Sequence, residues 1–392
     1  MTFTPLTSDF YGFSNQLTEV EREALAGLRA WLEAEVKPVV NDYWDRAEFP
    51  TEILPAFHKQ PVFGMQWDET KAFENSAVYR GWAALELSRI DASISTYVGV
   101  QNGLALGAIA VTGSPEQRAE WLPKLASGEV VGAFGLTEPL SGSDSAQGLR
   151  TTASREGDEW VLNGEKRWIG NATWSDIVVI WAKDTADGQV KGFIVPTSTP
   201  GYSATKIERK QSLRIVQNAD IVLTDVRIPE PLRLQNANSF RDTAAVLRLT
   251  RAEVAWSAVG VAIGAYEAAL AYANERVQFG KPIASHQLVQ QHLAEMMGSI
   301  TASIAMCTRV SEMLDEGTQK DEHAALAKAY ATSRMREVVA RAREVMGGNG
   351  IVLDYDATRF FNDAEALYSY EGTREMNTLI VGRALTGKAA FV

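Results

Sequence analysis

Glu159-Trp160-Val161-Leu162-Asn163-Gly164-Glu165-Lys166-Arg167-Trp168-Ile169 is the stretch on which the fold class turns. β-Branched and aromatic residues flank Asn163-Gly164-Glu165, and Asn-Gly between such runs predicts a β-hairpin. Short β-rich runs follow at 176–183, 192–196, 202–207 and 219–226. Turn residues Gly157-Asp158, Asp187-Gly188 and Pro200-Gly201 separate the runs. Together they predict a compact, mostly antiparallel β domain over 131–238, closed by the segment that carries Pro229 and Pro231.

On either side the sequence is helical. In 1–130, Thr18 and Glu21 make a capping box, and Leu25, Leu28, Leu32 and Val36 follow on one face. Further helices are predicted over 76–90 and 92–111. Another starts at Ser114-Pro115-Glu116-Gln117 and ends at Gly128. From 239 to 392 long Ala-, Leu- and Met-rich helices are broken at Gly280-Lys281-Pro282, near Gly317, and at Gly347-Gly348-Asn349-Gly350. The order α, then β, then α places the chain in the α+β class, with the last block a helix bundle. Residues 254–273 are almost all apolar, but Trp256, Ser257, Tyr266 and Glu267 interrupt them, and Gly260 and Gly264 have the spacing of close helix packing. The stretch reads as a buried bundle helix rather than a membrane span.

Composition narrows the function classes. The 392 residues are 46% hydrophobic and 22% charged, as in ordinary soluble proteins. A net charge of −11 disfavours nucleic acid and anionic membrane surfaces as partners. One cysteine, Cys307, allows no internal disulfide, and with only four histidines no metal site is expected. The first residues, 1–13, lack the basic start and apolar run of a signal peptide, so a cytoplasmic location is expected.

Five motifs could carry chemistry. Tyr368-Ser369-Tyr370-Glu371-Gly372-Thr373 sets a carboxylate between two aromatic residues and a glycine. Burial there would favour the neutral carboxyl, which suits a base that takes a proton from carbon; a helix-end Glu in water is the other reading. Phe134-Gly135-Leu136-Thr137-Glu138-Pro139-Leu140-Ser141-Gly142-Ser143-Asp144 is either a plain strand connection or a loop that lets amides and hydroxyls approach a polar ligand. Trp168-Ile169-Gly170-Asn171 offers an aromatic face for a planar ring, or simply a core Trp. Arg276-Val277-Gln278-Phe279-Gly280-Lys281-Pro282 ends a long helix, where Arg276 meets either the helix dipole or a pyrophosphate. Met346-Gly347-Gly348-Asn349-Gly350 permits close backbone approach, or merely terminates a helix.

In this order, and on this α-β-α layout, the motifs resemble the acyl-CoA dehydrogenase family of flavoproteins over nearly the whole chain. Within it the likeness is greatest to glutaryl-CoA dehydrogenases and short-chain acyl-CoA oxidases. The resemblance implies an N-terminal helical domain, a central β domain and a C-terminal four-helix bundle, with FAD between the last two. Leu136, Thr137, Trp168, Gly170 and Asn171 would line the flavin ring, with Gly142 and Ser143 near its ribityl chain and pyrophosphate. Arg276, Gln278, Phe279, Gly347 and Gly348 would serve FAD across a subunit interface, in a homodimer or homotetramer, and Gln287, Glu344, Thr373 and Glu375 would also touch it. Glu371 falls on the family's base, and Ser88, Ser95, Ser143, Thr250, Arg251, Tyr370 and Gly372 on substrate positions.

Three departures bear on activity. Some family members keep their base just before Arg251, where this chain has Thr250, leaving Glu371 alone. Glutaryl-CoA dehydrogenases recognise the distal carboxylate with a Glu and an Arg; Ser88 and Ser95 stand at those positions, and Arg89 is expected to pair with Asp91. A neutral short or medium acyl chain is therefore expected, with electrons passing to an electron-transfer flavoprotein. Gly170 replaces the Thr usual in dehydrogenases, so an oxidase using O2 is the alternative and glutaryl-CoA dehydrogenation a second. Glu371 speaks against the monooxygenases of this fold, and bound flavin would exclude a scaffold without cofactor.

Overall fold

The computed structural model describes residues 2–389. Its N-terminal helices include α1 (Glu19–Trp31), α2 (Ala77–Ile90), α3 (Ala92–Thr112) and α4 (Pro115–Ser127). Thr18 and Ser114 close the expected capping boxes of α1 and α4, and Gly128 ends α4 at φ 75°. Asp91 separates α2 from α3 by accepting from the backbone N–H groups of Ser93 and Ile94. The middle of α3, Gly99–Leu106, is wound as a π-helix, a feature that often marks a functional site.

The β domain holds β1 (Gly132–Gly135), β2 (Thr152–Glu156), β3 (Glu159–Gly170), β4 (Ile177–Asp184), β5 (Val190–Pro196), β6 (Tyr202–Lys206) and β7 (Asn218–Pro229). They form one sheet in the order β1-β4-β2-β3-β7-β6, with β5 also on β4. The β1–β4 and β2–β4 pairings are parallel, the remainder antiparallel.

One expectation fails here. Asn163-Gly164 is not a hairpin turn but lies inside β3, whose register against β7 shifts between Leu162 and Gly164. Gly164, at φ 147°, lies hard against Thr151, and Asn163 Nδ2 donates to Asp225 on the neighbouring strand at 3.0 Å. Glycine inside a strand marks a bulge or close approach as readily as a turn. The turn itself is Gly157-Asp158, between the paired Glu156 and Glu159.

The C-terminal block contains α5 (Phe240–Glu275), α6 (Gln287–Asp315), α7 (Asp321–Val345), α8 (Ala357–Ser369) and α9 (Arg374–Thr386), with α7 touching each of the other four. α3 and α5 are long and apolar enough to cross a bilayer, yet 78% of each apolar window is buried in the interior. Gly260 and Gly264 of α5 face α2: a Cβ on either would run into the carbonyl oxygen of Leu85 or Arg89. Four-residue spacing places both on one face, which lets the two backbones meet.

A single carboxylate ties the three parts together. Asp363 of α8 accepts from Trp44 Nε1 at 2.9 Å and from the Leu213 N–H at 2.7 Å.

Candidate active site

After α8 ends at Ser369, the chain takes two left-handed steps, Glu371 at φ 53° and Gly372 at φ 84°, before Thr373 caps α9. A non-glycine residue in that region costs roughly 1–2 kcal/mol, so something must hold it. Lys328 of α7 does so. It is 1% exposed, and its Nζ donates to the carbonyls of Tyr370 and Gly372, one on either side of Glu371. Asn377 Nδ2 adds a donor to the Gly372 carbonyl at 2.8 Å. Burial pushes the Lys328 ammonium down to about 8, with the Glu371 charge opposing and Arg251 adding to the fall.

The Glu371 carboxylate is half-buried, and its Oε2 accepts from Thr250 Oγ1 at 2.6 Å. Its expected enclosure between two rings is not found. Tyr368 turns outward under the Arg336 guanidinium, 4.4 Å from its ring centre, because Ser369 and Tyr370 carry the chain round the end of α8. Tyr370 alone stays beside Glu371: burial pushes its phenol up, a hydrogen bond with Thr96 pulls it down, and the Glu371 and Glu253 charges raise it further. Among the described residues no group accepts a hydrogen bond from the Glu371 backbone N–H.

One turn along α5 from Thr250 lies Glu253, on the same face. Cβ atoms at Gly99 and Gly103, in the π-helical part of α3, would sit 3.5 and 3.7 Å from its two carboxyl oxygens, so the glycines leave the room it occupies. Burial, and then the Glu371 charge, push the Glu253 carboxyl up to about 7 against the pull of Arg80. Glu253 also lines a cavity between α2, α3, α5 and α6 with Arg80, Gln66 and Asn102.

On the sheet, Thr137 and Arg167 are joined in both directions: Arg167 N–H donates to the Thr137 carbonyl at 2.9 Å, and the Thr137 hydroxyl donates to the Arg167 carbonyl at 2.6 Å. Beneath them Lys166 Nζ, fully buried, reaches Glu138 Oε1 at 2.8 Å and the Leu136 carbonyl at 3.1 Å. Burial pushes Lys166 down to about 8, with Glu138 opposing. Burial also works against ionisation of Glu138, but Lys166 and Thr151 outweigh it and hold the carboxyl below its usual range. The pair anchors the loop that leaves Gly142 and Ser143 in the open. Trp168 follows at φ 67° with its indole 53% exposed, and its carbonyl accepts from Asn218 Nδ2 at 3.1 Å. Asn171, at φ 62°, is buried and bonded to Gln217. Leu136 is buried, Thr137 half-buried, and a Cβ at Gly170 would meet nothing closer than Val216 at 3.4 Å.

The remaining expected residues fall elsewhere. Arg276, Gln278 and Phe279 are exposed on a two-stranded turn after α5, with Phe279 93% exposed. Gln287 opens α6; Glu344 is exposed, 3.8 Å from His292. Gly347, at φ 57°, and Gly348 stand in the open, as does Glu375. Ser88 is fully buried and donates to its own helix at Ala84 O, while Ser95 Oγ lies 3.1 Å from Ser257 Oγ. Arg89 does not pair with Asp91: it meets Glu33, Glu86 and Glu267 at 2.7, 3.1 and 2.7 Å. Asp91 is committed to capping α3 and to Arg359 at 2.8 Å. Helix α2 points Arg89 toward Glu33, just beyond α1, and Glu267 of α5.

Models of the acyl-CoA dehydrogenase N-terminal, middle and C-terminal domains match residues 18–129, 133–226 and 240–386. The chain belongs to the acyl-CoA dehydrogenase family. An acyl-CoA dehydrogenase of Bacillus subtilis is 32% identical over 365 residues, covering 92% of this chain and 96% of its own. A subunit of the caffeyl-CoA reductase-Etf complex of Acetobacterium woodii is 32% identical over 355 residues, 89% of this chain and 93% of its own. The structure of a glutaryl-CoA dehydrogenase of Mycobacterium smegmatis in complex with FADH2 superposes with a TM-score of 0.94 at 36% identity, covering all of both chains.

For a member of this family, the sequence reading missed Lys328, Arg80 and Glu253. Lys328 interrupts an apolar stripe of α7 that runs through Ala324, Ala331 and Met335, and a lysine on a buried face was the available signal. Glu253 follows Thr250 by three residues in an apolar helix, the spacing of a shared face.

Proposed function

We propose that the chain is an FAD-dependent dehydrogenase that converts a short- or medium-chain acyl-CoA to the trans-2-enoyl-CoA. In this reading electrons go on to an electron-transfer flavoprotein, the kind of partner named for the Acetobacterium relative. The observation that carries the reading is Glu371, held in a left-handed backbone by a buried lysine and hydrogen-bonded across the site to a threonine.

The residues present fit a flavin. Trp168 offers an open aromatic face beside Thr137, and the adjoining loop at Gly142, where no atom lies within 4 Å of a Cβ position, leaves backbone exposed for a polar chain. Leu136, Thr137, Trp168, Gly170 and Asn171 would hold the ring, and Gly142 and Ser143 the ribityl chain and pyrophosphate. FAD, when bound, supplies the acceptor for the hydride that leaves the substrate Cβ.

The protein's own part is proton transfer and charge stabilisation. Glu371 takes the α-proton, while Thr250 Oγ1 steadies the oxygen that does not attack. The free Glu371 N–H donates to the thioester oxygen as negative charge builds there. Arg276, Gln278, Phe279, Gly347 and Gly348 would complete the cofactor site of a neighbouring subunit, and the uncovered ring of Phe279 supports such an interface.

A neutral acyl chain is preferred over glutaryl because Ser88 and Ser95 bring no charge and Arg89 already serves three carboxylates. Oxidase activity is the second reading, favoured by the space at Gly170. The test is anaerobic stopped-flow flavin reduction by butyryl- or hexanoyl-CoA. Glu371→Gln should lose about 10²–10⁴-fold or more in rate with FAD retained; a near wild-type rate would show that another group is the base.

A further inference from the structure

We propose that Glu253 reads the distal end of the acyl chain, and that the preferred substrate carries a hydrogen-bond donor there, such as a hydroxyl, in place of a plain methyl terminus. This rests on the acyl-CoA reading above, with Glu371 as the base.

The geometry leads from one carboxylate to the other. Thr250 bonds Glu371 at 2.6 Å, its methyl packs on Gly103, and Glu253 follows one helical turn further along α5, in the notch left by Gly99 and Gly103. A chain whose α-carbon lies at Glu371 and which runs inward past Thr250 meets Glu253 after a few carbons.

Of the other polar groups at that end, Gln66 is half-exposed and the rest have partners. Asn102 accepts from the Gly64 N–H at 3.0 Å and donates to Val62 O, and Ser311 Oγ accepts from Trp256 Nε1 at 3.0 Å. Arg80 is drawn to the far wall, where Nη1 donates to Asn75 Oδ1 at 3.0 Å and Nη2 lies 3.8 Å from Asp315; no atom of it comes within ion-pair distance of Glu253. Among the described residues, nothing donates to Glu253. A methyl-ended chain would seal this carboxyl from water and leave it without a partner, which is costly; a donor on the chain would satisfy it. A terminal carboxylate would instead face two carboxylates, Glu253 and Glu371.

The test measures kcat/KM for butyryl-, pentanoyl- and hexanoyl-CoA against their ω-hydroxy and ω-carboxy counterparts, with wild type and Glu253→Leu. Dissociation constants for the same thioesters are measured on Glu371→Gln, which should hold substrate without turning it over. The expected result is a preference of about tenfold or more for ω-hydroxy over plain chains in both kcat/KM and Kd, abolished or reversed in Glu253→Leu. A wild type that favours plain chains, or dicarboxylic ones, overturns the assignment of Glu253 while leaving the dehydrogenase intact. So does a hydroxy preference that survives in Glu253→Leu. If no thioester reduces the flavin, the acyl-CoA reading falls and the assignment falls with it.

Discussion

Replacing Glu253 by Gln should stabilise the protein, and only where the carboxyl would otherwise be ionised. Burial first, and the Glu371 charge second, raise this carboxyl from 4.5 to about 7. Below 4.5 it is protonated in both the folded and the unfolded chain, and contributes no pH dependence. Between 4.5 and about 7 the unfolded chain releases the proton freely while the folded chain keeps it, so wild-type stability falls across that window and the deficit is constant above it. At about 1.4 kcal/mol per pH unit the deficit is at most about 3.5 kcal/mol. The side chain keeps some contact with water, which reduces the expected value to about 1–2 kcal/mol. Glutamine fills the same notch beside Gly99 and Gly103 without the charge. Thermal unfolding of the two holoproteins from pH 5.5 to 8.5 should show an advantage for Glu253→Gln that grows with pH and levels off above 7, at about 2 °C or more. An advantage independent of pH would assign the effect to packing. A variant less stable than wild type at pH 8 would mean that the carboxylate has a partner in the fold, and the reasoning would fail.

Lys328→Met removes the donor shared by the Tyr370 and Gly372 carbonyls. Gly372 keeps Asn377 Nδ2, whereas the Tyr370 carbonyl then costs about 1–3 kcal/mol if it stays buried and unbonded; kcat should drop at least about tenfold with a smaller change in acyl-CoA affinity, and an unchanged kcat would show that Glu371 holds its backbone unaided. Gly170→Thr should fold normally, since a Cβ there meets only ordinary contacts, and its reduced flavin should reoxidise in air more slowly than that of wild type; equal rates would remove this position from the oxidase argument. Gly260→Ala drives a methyl into the Leu85 carbonyl where α5 crosses α2, and should cost about 1–3 kcal/mol, read as a lower Tm; no change would mean that the helices can part without loss.

Much of this molecule is local chemistry and therefore legible in the chain. The capping boxes at Thr18 and Ser114, the stop at Gly128, the helix breaks at Gly280 and Gly347, and the pair Gly260 and Gly264 each depend on residues a few positions apart, which propensity and spacing report directly. The α-β-α order followed from the period of the apolar residues, and Glu371 stood out because it lies between two aromatic residues and a glycine and falls on the base position of the family that the motifs resemble. Where a choice depended on what lies opposite, the sequence alone was silent or misleading. Asn163-Gly164 is a turn signal only if the chain reverses, and the partner strand β7 decided that it runs straight on. Arg89 had Asp91 two residues away, but helix geometry sent it to Glu33 and Glu267, on other helices. Lys328 is 43 residues from Glu371 and Glu253 is 118, so their roles at the base arise only when α5, α7 and the turn after α8 are packed together. Periodicity tells which face of a helix is buried; which carbonyl, carboxylate or glycine waits on the other side is decided by the crossing of helices, and that exists only in three dimensions.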